Sequence, residues 1–387
     1  MVLTIILASL ALLSLMLTLW QWAVAFRFPL HRRGATGSYA PGVSMLKPLK
    51  GIDSETSECL ESWLTQRYTG ASEILFGVAS ASDPVCELVR ELIARHPKAN
   101  AQLVLCPENF GANAKVSTLI QLQRLARHNL IMVSDADVWV PEDFVAEVVA
   151  PFNNSDLGLV SCFYQFVTRT CVRCNVLSQL ATRWENFAVN ADFWSQVLQS
   201  QSLKPIDFAL GAVMITRRGQ LEKIGGFDAL ADYLADDYQL GFQISRGGTR
   251  LALSPMVVEC RNVPMRWSEV WSHQLRWART IRVCQPLPYF FSQLQNGTLW
   301  PCLWALWEPT GSVCTMTAAC LLARMAVGCY CEQKLTRRRN LNALWLALFK
   351  DLLQVVIWAL AFFGKHIDWR GQRFEVRAGG KLVKIGA

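Results

Sequence analysis

The distribution of apolar and polar residues divides the chain into three parts. Residues 3–26 are almost uninterruptedly apolar and carry no charged side chain. Residues 42–285 alternate between short apolar runs and segments with helical spacing, and residues 286–364 turn apolar again. About 20 consecutive apolar residues span a bilayer as a helix. The pattern therefore predicts one sizeable domain held at a membrane by the hydrophobic segments on either side of it.

The N-terminal apolar segment is longer than the core of a typical signal peptide, and no basic region precedes it. We interpret residues 1–26 as an uncleaved transmembrane anchor. Arg27, His31, Arg32 and Arg33 follow directly. Basic residues beside a span stay in the cytoplasm. We therefore expect the basic linker, residues 27–41, and the domain after it to face the cytoplasm in an integral membrane protein.

The C-terminal apolar region offers three membrane candidates, at residues 288–307, 310–331 and 344–363. Arg324, Lys350 and Asp351 fall within them. Charges inside a span are costly and usually face protein or water. The loop 334–339 and the tail 365–387 are basic and are both expected in the cytoplasm. We therefore predict two to three C-terminal membrane segments within residues 286–364, one of which can lie in the interface rather than cross.

The central domain shows a strand-then-helix order. The predicted strands are residues 43–46, 73–78, 102–105, 130–133, 159–163 and 212–216, and the predicted helices are residues 55–66, 84–95, 115–127, 178–191 and 238–245. Alternation of this kind predicts an α/β fold with a mostly parallel sheet flanked by helices. We place this domain at residues 42–285.

The composition indicates a membrane-associated protein with anionic partners. The 387 residues are 52% hydrophobic with a net charge of +8. The chain is too apolar for an ordinary soluble enzyme and too polar for a transporter built only of spans. A basic balance suits phosphate-bearing substrates or an acidic lipid surface. Nucleic acid is not expected, because no nucleic-acid motif occurs. The 13 cysteines are scattered without metal-ligand spacing and are interpreted as small apolar residues.

Two carboxylates, Asp135 and Asp137, follow the apolar strand at residues 130–133. In open α/β sheets, ligands bind in the crevice beyond the carboxyl ends of the strands. Hard oxygen ligands there can hold Mg²⁺ or Mn²⁺, and the metal can hold a diphosphate. Alone, this Asp-x-Asp would more often be a solvated turn, so its interpretation depends on the residues around it.

Two further candidates are side chains in loops that lead into helices. Asp83 follows another predicted strand, where it can contact a nucleoside or cap the helix at residues 84–95, and one carboxylate can do both. Lys115 ends the loop Gly111-Ala-Asn-Ala-Lys115 and can neutralise a phosphate. Taken alone, that loop is more simply a solvated turn.

The last candidates are an acidic pair and a basic helix. Asp236 and Asp237 are adjacent and repel, which raises the pKa of one and makes it a competent general base. The alternative is the ordinary preference for acidic residues at a helix N-terminus. Further on, His273-Gln-Leu-Arg276-Trp277 precedes more arginines on roughly one helical face. That face can bind a diphosphate or meet lipid headgroups.

Taken in order, these residues resemble the lipid-directed inverting glycosyltransferases with a GT-A fold. The resemblance is strongest to the ceramide glucosyltransferases and to the bacterial hopanoid-associated glycosyltransferases. Four further motifs add to it: Leu46-Lys-Pro-Leu-Lys-Gly51, Gly111-x-Asn-x-Lys115, Gly225-Gly226-Phe227 and Trp369-Arg370-Gly371-x-Arg373. The resemblance implies that a lipid hydroxyl attacks the anomeric carbon of a UDP-sugar and that UDP leaves with inversion, through an oxocarbenium-like transition state.

The resemblance also implies roles for the candidates. Asp237, beside Asp236, would be the general base, and Asp135 and Asp137 would hold Mg²⁺ or Mn²⁺. Asp83 would contact the uridine. The nucleotide-sugar-binding residues would be Asp83, Lys115, Asp135, His273, Arg276 and Trp277.

Three positions depart from the pattern. His273 stands where the family usually has Gln or Arg, Asp236 where the animal ceramide enzymes have Glu, and those enzymes lack a counterpart of Asp137. These features are closer to the hopanoid branch. The acceptor therefore stays open between a ceramide-like lipid with UDP-glucose and a hopanoid with UDP-N-acetylglucosamine. A processive polysaccharide synthase and an inactive membrane-anchored binding protein are less favoured.

Overall fold

The computed structural model describes residues 1–34, 39–168, 175–340, 342–364, 366–369 and 372–385. They fall into two compact units. The sheet unit comprises Leu30–Thr170, Pro205–Val263 and Gly380–Ala387, and the helical unit comprises Met1–Pro29, Cys171–Lys204 and Pro264–Gly379.

The strands are β1 (Val43–Leu49), β2 (Ser72–Val78), β3 (Ala101–Leu105), β4 (Leu130–Ser134), β5 (Val138–Trp139), β6 (Leu157–Thr168), β7 (Val213–Arg217), β8 (Arg250–Asn262), β9 (His366–Trp369), β10 (Gln372–Val376) and β11 (Leu382–Lys384). The first eight form one sheet in the order β3-β2-β1-β4-β7-β6-β8-β5. Strands β1 to β4 are mutually parallel, whereas β7 runs antiparallel to both β4 and β6. The predicted mostly parallel sheet is confirmed.

The helices are α1 (Val2–Arg27), α2 (Thr56–Leu64), α3 (Val85–Arg95), α4 (Ala114–Leu125), α5 (Phe144–Val149), α6 (Val176–Phe187), α7 (Trp194–Leu203), α8 (Arg218–Lys223), α9 (Asp236–Arg246), α10 (Trp267–Cys284), α11 (Pro286–Phe291), α12 (Leu299–Trp307), α13 (Gly311–Thr336) and α14 (Ala343–Ala361). A π-helical turn, Ala188–Phe193, joins α6 to α7.

The long strand β8 has no counterpart among the sequence predictions. Proline lacks the amide hydrogen that a ladder needs, so Pro255 argues against a strand. In the structure, β8 runs parallel to β6 with a register shift. Cys162 pairs with Ser254 and Phe163 with Val257, which places Pro255 in a bulge. The bulge removes the residue from the ladder and lets the strand continue.

The central strands bring the candidate site to one edge of the sheet. All five residues of β4 are buried between β1 and β7. Because β1 and β4 are parallel, their carboxyl ends meet at the same edge. The antiparallel β7 begins at that edge, where the amide of Asp135 donates to the carbonyl of Ala212 over 3.3 Å.

Among its described residues, the helical unit has three helices that are long and apolar enough to cross a membrane: α1, α13 and α14. The candidate at residues 288–307 is instead divided between α11, a 3₁₀ turn at Ser292–Gln295 and α12. The described C-terminal part therefore has two membrane candidates, the lower of the numbers predicted. Within this unit, α1 packs on α7, α12 and α13, and α13 packs on α14.

The charged residues of α13 and α14 face protein. The Arg324 guanidinium donates to both carboxylate oxygens of Asp351 over 2.8 Å each, and to Asp192 over 2.8 Å. Lys350 lies 2.8 Å from the same Asp192 oxygen. Gln21 of α1 also donates to Asp192. Two cations therefore balance two buried carboxylates, which makes these charges compatible with apolar helices.

Removing one cation from this cluster should destabilise the helical unit. Arg324→Met leaves two buried carboxylates with Lys350 alone, and breaking a buried ion pair costs about 3–5 kcal/mol. We expect a clearly lower thermal unfolding midpoint in detergent for this variant. Arg338→Met, at an exposed position, is the matched control and should leave the midpoint unchanged. Equal midpoints for the two variants would show that the cluster contributes little.

Candidate active site

A buried lysine forms hydrogen bonds to the end of β4 and the start of the Asp-x-Asp loop. Lys47 of β1 is fully buried, and its Nζ donates to the carbonyl of Asp135 over 2.8 Å and to the hydroxyl of Ser134 over 3.1 Å. It also lies 4.3 Å from the centre of the Trp63 ring. Burial lowers the pKa of Lys47 to about 7. Lys47 thus holds the backbone in place where β4 ends.

Helix α2 holds the rest of the same loop. The Cys59 thiol donates to the carbonyl of Asp137 over 3.2 Å, and the Trp63 indole donates to the carbonyl of Val138 over 2.9 Å. Sequence reasoning assigned no role to Lys47, Cys59 or Trp63. The available signal was a lysine in the middle of an otherwise apolar strand, because lysine is almost never fully buried unless it is paired.

Lys115 joins the two acidic parts of the site. Its Nζ lies 2.8 Å from Asp135 Oδ1 and 3.3 Å from Asp236 Oδ2. Burial alone would lower the pKa of Lys115, but the charges of Asp135 and Asp236 outweigh it and hold the pKa above its ordinary value. Asn113 caps α4 through the amides of Lys115 and Val116 and donates to the carbonyl of Tyr233. The loop at residues 111–115 is therefore ordered around the acidic residues rather than being a solvated turn.

Asp236 and Asp237 are the first two residues of α9. The Asp237 carboxylate accepts the amide hydrogen of Tyr238 over 2.8 Å. Burial and the neighbouring Asp236 raise the pKa of Asp237 from 3.8 to about 6. A carboxylate with such a pKa is ionised at neutral pH and is a stronger base than an ordinary aspartate. The sequence left two interpretations of this pair, acidic residues at a helix N-terminus or a carboxylate of raised pKa. The structure has both.

Asp237 also lies against the glycine that precedes β7. A Cβ atom at Gly211 would be 2.7 Å from Asp237 Oδ2. Gly211→Ala should therefore displace the Asp237 carboxylate while leaving the strand intact. Because we propose below that Asp237 is the general base, we expect its displacement to lower turnover by at least about tenfold, with an unchanged unfolding midpoint. Gly219→Ala, where the added Cβ has open space, is the control; equal turnover for both would contradict the contact.

The segment after Gly379 supports the loop before this acidic pair. The amide of Leu382 donates to the carbonyl of Asp232 over 2.7 Å, and the amide of Leu234 donates to the carbonyl of Gly380 over 3.1 Å. A bridge between Tyr233 and Lys381 lies between these bonds. The chain just before Asp236 is thus paired on its backbone.

Asp137 and Asp135 fit a metal whose remaining ligands come from a substrate. Burial and the nearby charge of Asp135 raise the pKa of Asp137 to about 6, and a cation would relieve that repulsion. Among the described residues, no group of three or more His, Cys, Asp or Glu could enclose a metal. Mg²⁺ is commonly held by one or two carboxylates together with substrate phosphates. The donor set therefore suits a metal–diphosphate and not a closed structural site.

Both oxygens of Asp83 are engaged by backbone amides. They accept from Gly51 over 3.1 and 3.0 Å, and one accepts from Val85 over 3.0 Å. Helix α3 begins at Val85, one residue later than predicted, so Pro84 and not Asp83 is its N-cap. Gly51 has a φ of +72°, which suits glycine. Asp83 thus fixes the turn after β1 as well as the start of α3.

The remaining candidates lie in the helical unit, on α10. His273, Arg276 and Trp277 are all half-buried. The Nδ1 atom of His273 lies 2.6 Å from Glu185, and the rings of Trp277 and Phe193 are 5.9 Å apart. The structure thus gathers Asp135, Asp137, Lys115, Asp236 and Asp237 in the sheet unit. Of the motif Trp369-Arg370-Gly371, Arg370 and Gly371 lie outside the described residues.

Comparison with known sequences identifies the family. A sequence model described as Glycosyl transferase family 21 matches residues 3–382. The chain belongs to this family.

Curated relatives confirm the resemblance to ceramide glucosyltransferases. Ceramide glucosyltransferase 3 of Caenorhabditis elegans is 27% identical over 230 residues, covering 59% of this chain and 48% of the relative. The ceramide glucosyltransferase of Candida albicans is 30% identical over 125 residues, covering 30% of this chain and 23% of the relative. The matched region thus spans about half, or less, of the length of these relatives.

A solved structure confirms the GT-A fold. A mannosyltransferase from Pyrobaculum calidifontis, in complex with GDP-Man and Mn²⁺, is 19% identical to this chain with a TM-score of 0.56. The alignment covers 93% of this chain and 98% of that one. At this identity, the comparison supports the fold alone.

Proposed function

We propose that this protein is a membrane glycosyltransferase that transfers a sugar from a UDP-sugar to the hydroxyl of a membrane lipid with inversion. A ceramide glucosyltransferase activity is the specific form we favour. The observation that carries the proposal is the cluster in which Lys115 joins Asp135 to Asp236, beside an Asp237 of raised pKa. Family membership and the ceramide glucosyltransferase relatives support the choice of reaction.

The acidic and basic groups divide the binding of the donor between them. Asp135 and Asp137 would hold Mg²⁺ or Mn²⁺, which would neutralise charge on the diphosphate as it leaves. Lys115 keeps its proton because of its carboxylate neighbours, so it adds a fixed positive charge at the same edge. We assign uridine contact to Asp83, at the turn that it orders with Gly51. By resemblance, we also assign nucleotide-sugar binding to His273, Arg276 and Trp277.

The chemical step is a single displacement. The oxygen of the lipid hydroxyl forms a bond to the anomeric carbon while the bond from that carbon to the diphosphate oxygen breaks. Asp237 accepts the hydroxyl proton, and UDP leaves with the electron pair. Asp236 keeps the pKa of Asp237 raised and is itself held through Lys115 and Asn113. Attack from the side opposite the leaving group inverts the anomeric centre.

A lipid acceptor explains the apolar part of the chain. A soluble acceptor would not require helices α1, α13 and α14. Helix α11 exposes Leu287, Phe290 and Phe291, which is typical of a segment at the membrane interface. We infer that the catalytic residues face the cytoplasm and that the acceptor enters from the cytoplasmic leaflet. The basic residues that follow α1 support this orientation.

A panel of donors and acceptors tests the proposal. Membranes containing the protein are incubated with labelled UDP-glucose or UDP-N-acetylglucosamine, and the extracted lipids are identified by mass. We expect labelled glucosylceramide. Label in a hopanoid would keep the lipid glycosyltransferase and replace the acceptor, a choice that His273 and Asp236 favour by resemblance. Label only in water-soluble or polymeric product would overturn the proposal.

A further inference from the structure

A buried glutamate in the helical unit contacts the histidine of the proposed donor site. Glu185 of α6 has a side chain that is 2% exposed, and its Oε1 lies 2.6 Å from Nδ1 of His273. The same oxygen accepts a hydrogen bond from Gln274 over 3.0 Å. Helices α6 and α10 also pack through Trp184 and Trp267, whose rings are 5.8 Å apart. The Glu185 carboxylate is thus held in position by contacts other than the one with His273.

This contact determines which ring nitrogen of His273 carries a proton. Glu185 Oε1 accepts the hydrogen bond from Gln274 and therefore acts as an acceptor toward His273 as well. In the contact between Glu185 and His273, Nδ1 is then the N–H donor. In the neutral imidazole, Nε2 then carries the lone pair. A carboxylate on one nitrogen is the usual means by which a protein sets the tautomer and orientation of a functional histidine.

The orientation of the ring is fixed as well. The His273 and Trp277 rings meet edge to face with centres 4.8 Å apart, and Trp277 in turn contacts Phe193. The His273 side chain retains 21% of its exposure. The ring is therefore held on one side by Glu185 and on another by Trp277, and Nε2 is the nitrogen that remains for a ligand.

We propose that Glu185 is a positioning residue that fixes the Nδ1–H tautomer of His273, so that Nε2 serves the nucleotide-sugar. The proposal rests on the proposed function, in which His273 belongs to the donor site. Glu185 itself is not assigned contact with substrate. Its effect on the reaction passes through the imidazole.

The nitrogen chemical shifts of the five histidines test this directly and do not depend on activity. In the full-length protein labelled with ¹⁵N-histidine, His273→Asn identifies the signals of His273. We expect Nδ1 of His273 to be protonated in the wild type and to lose this preference in Glu185→Gln. Gln274→Met removes the other donor to Glu185 and should leave the His273 tautomer unchanged. A wild-type His273 protonated at Nε2 alone, or shifts unaffected by Glu185→Gln, would overturn the proposal.

A double-mutant cycle then tests the effect on turnover. Glu185→Gln should lower kcat by roughly 2- to 150-fold, the range of coupling between contacting residues. In a His273→Gln background the same change should have almost no effect, because an amide has no tautomer and can rotate to pair with either side chain at position 185. Equal losses in both backgrounds would indicate a merely structural role for Glu185. Absence of transfer by the wild type would instead count against the proposed function, and the nitrogen shifts would still decide the pairing.

Discussion

Asp237→Asn should lower turnover by roughly 10²- to 10⁴-fold, the usual contribution of a general base, while UDP binding is largely retained. The substitution keeps the size of the side chain and removes its basicity. Asp236→Asn is the matched control, since it alters the neighbour and its contact with Lys115 but leaves the base. We expect a smaller loss of turnover from it. If Asp236→Asn lost most of its turnover while Asp237→Asn stayed active, the general base would be Asp236 and not Asp237.

Because the pKa of Asp237 is raised in the folded protein, Asp237→Asn should also change the stability of the protein. Its pKa is about 6 in the folded protein and 3.8 ordinarily, so the folded state binds this proton more tightly. The resulting stabilisation is complete below pH 3.8 and is lost as the pH rises through about 6. At neutral pH the ionised carboxylate is therefore unfavourable, and Asp237→Asn should raise the unfolding midpoint of the ligand-free protein. Wild-type turnover should fall as the pH drops below about 6, when the base is protonated.

Asp135→Ala should abolish most of the metal-dependent part of UDP binding. In the wild type we expect UDP to bind more tightly with Mn²⁺ or Mg²⁺ than with chelator. Even loss of a residue that only supports a metal ligand commonly costs about 10- to 100-fold in affinity, so loss of a ligand should cost at least this much. Calorimetric titration of detergent-purified protein measures the difference.

The control for Asp135→Ala is Asp156→Ala, an exposed carboxylate of the sheet unit. It should bind UDP as the wild type does, with the same dependence on metal. Equal affinity of the wild type with metal and with chelator would exclude the metal role of Asp135 and Asp137. An unchanged unfolding midpoint for Asp135→Ala would confirm that the loss of binding is local.

The sequence predicted the edge of the sheet at which the acidic residues gather, because strand ends can be read from short apolar runs. Asp135 and Asp137 lie beside such a run, whereas Asp236 and Asp237 are the first residues of α9 and are recognisable only as an adjacent acidic pair. The residues that hold the Asp-x-Asp loop could not be assigned that role from the sequence, although a lysine within an otherwise apolar strand indicates that Lys47 is paired. Lys47, Cys59 and Trp63 meet the Asp-x-Asp loop only because β1 and α2 fold onto β4, and no local pattern encodes those contacts.

The helical unit shows the same limit. The hydrophobic pattern found α1, α13 and α14, but residues 288–307 form short helices instead of a span. Arg324, Lys350 and Asp351 were recognised as charges that must face protein or water. Their partner Asp192 is more than 130 residues away in sequence from Arg324, which periodicity does not reveal. The role of Glu185 could not be predicted for the same reason, since its pairing with His273 depends on how α6 packs against α10.

The most direct test of the central claim is the structure of the lipid product. Purified protein in detergent is supplied with UDP-glucose, whose anomeric bond is α, with ceramide and with Mn²⁺. The glycolipid formed is then examined by mass spectrometry and by the coupling of its anomeric proton. The proposed function predicts a β-glucosylceramide that the wild type makes and Asp237→Asn does not. An α-linked product would contradict inversion by Asp237. The absence of any glycolipid, both here and in a parallel reaction with UDP-N-acetylglucosamine and a hopanoid, would contradict the lipid glycosyltransferase itself.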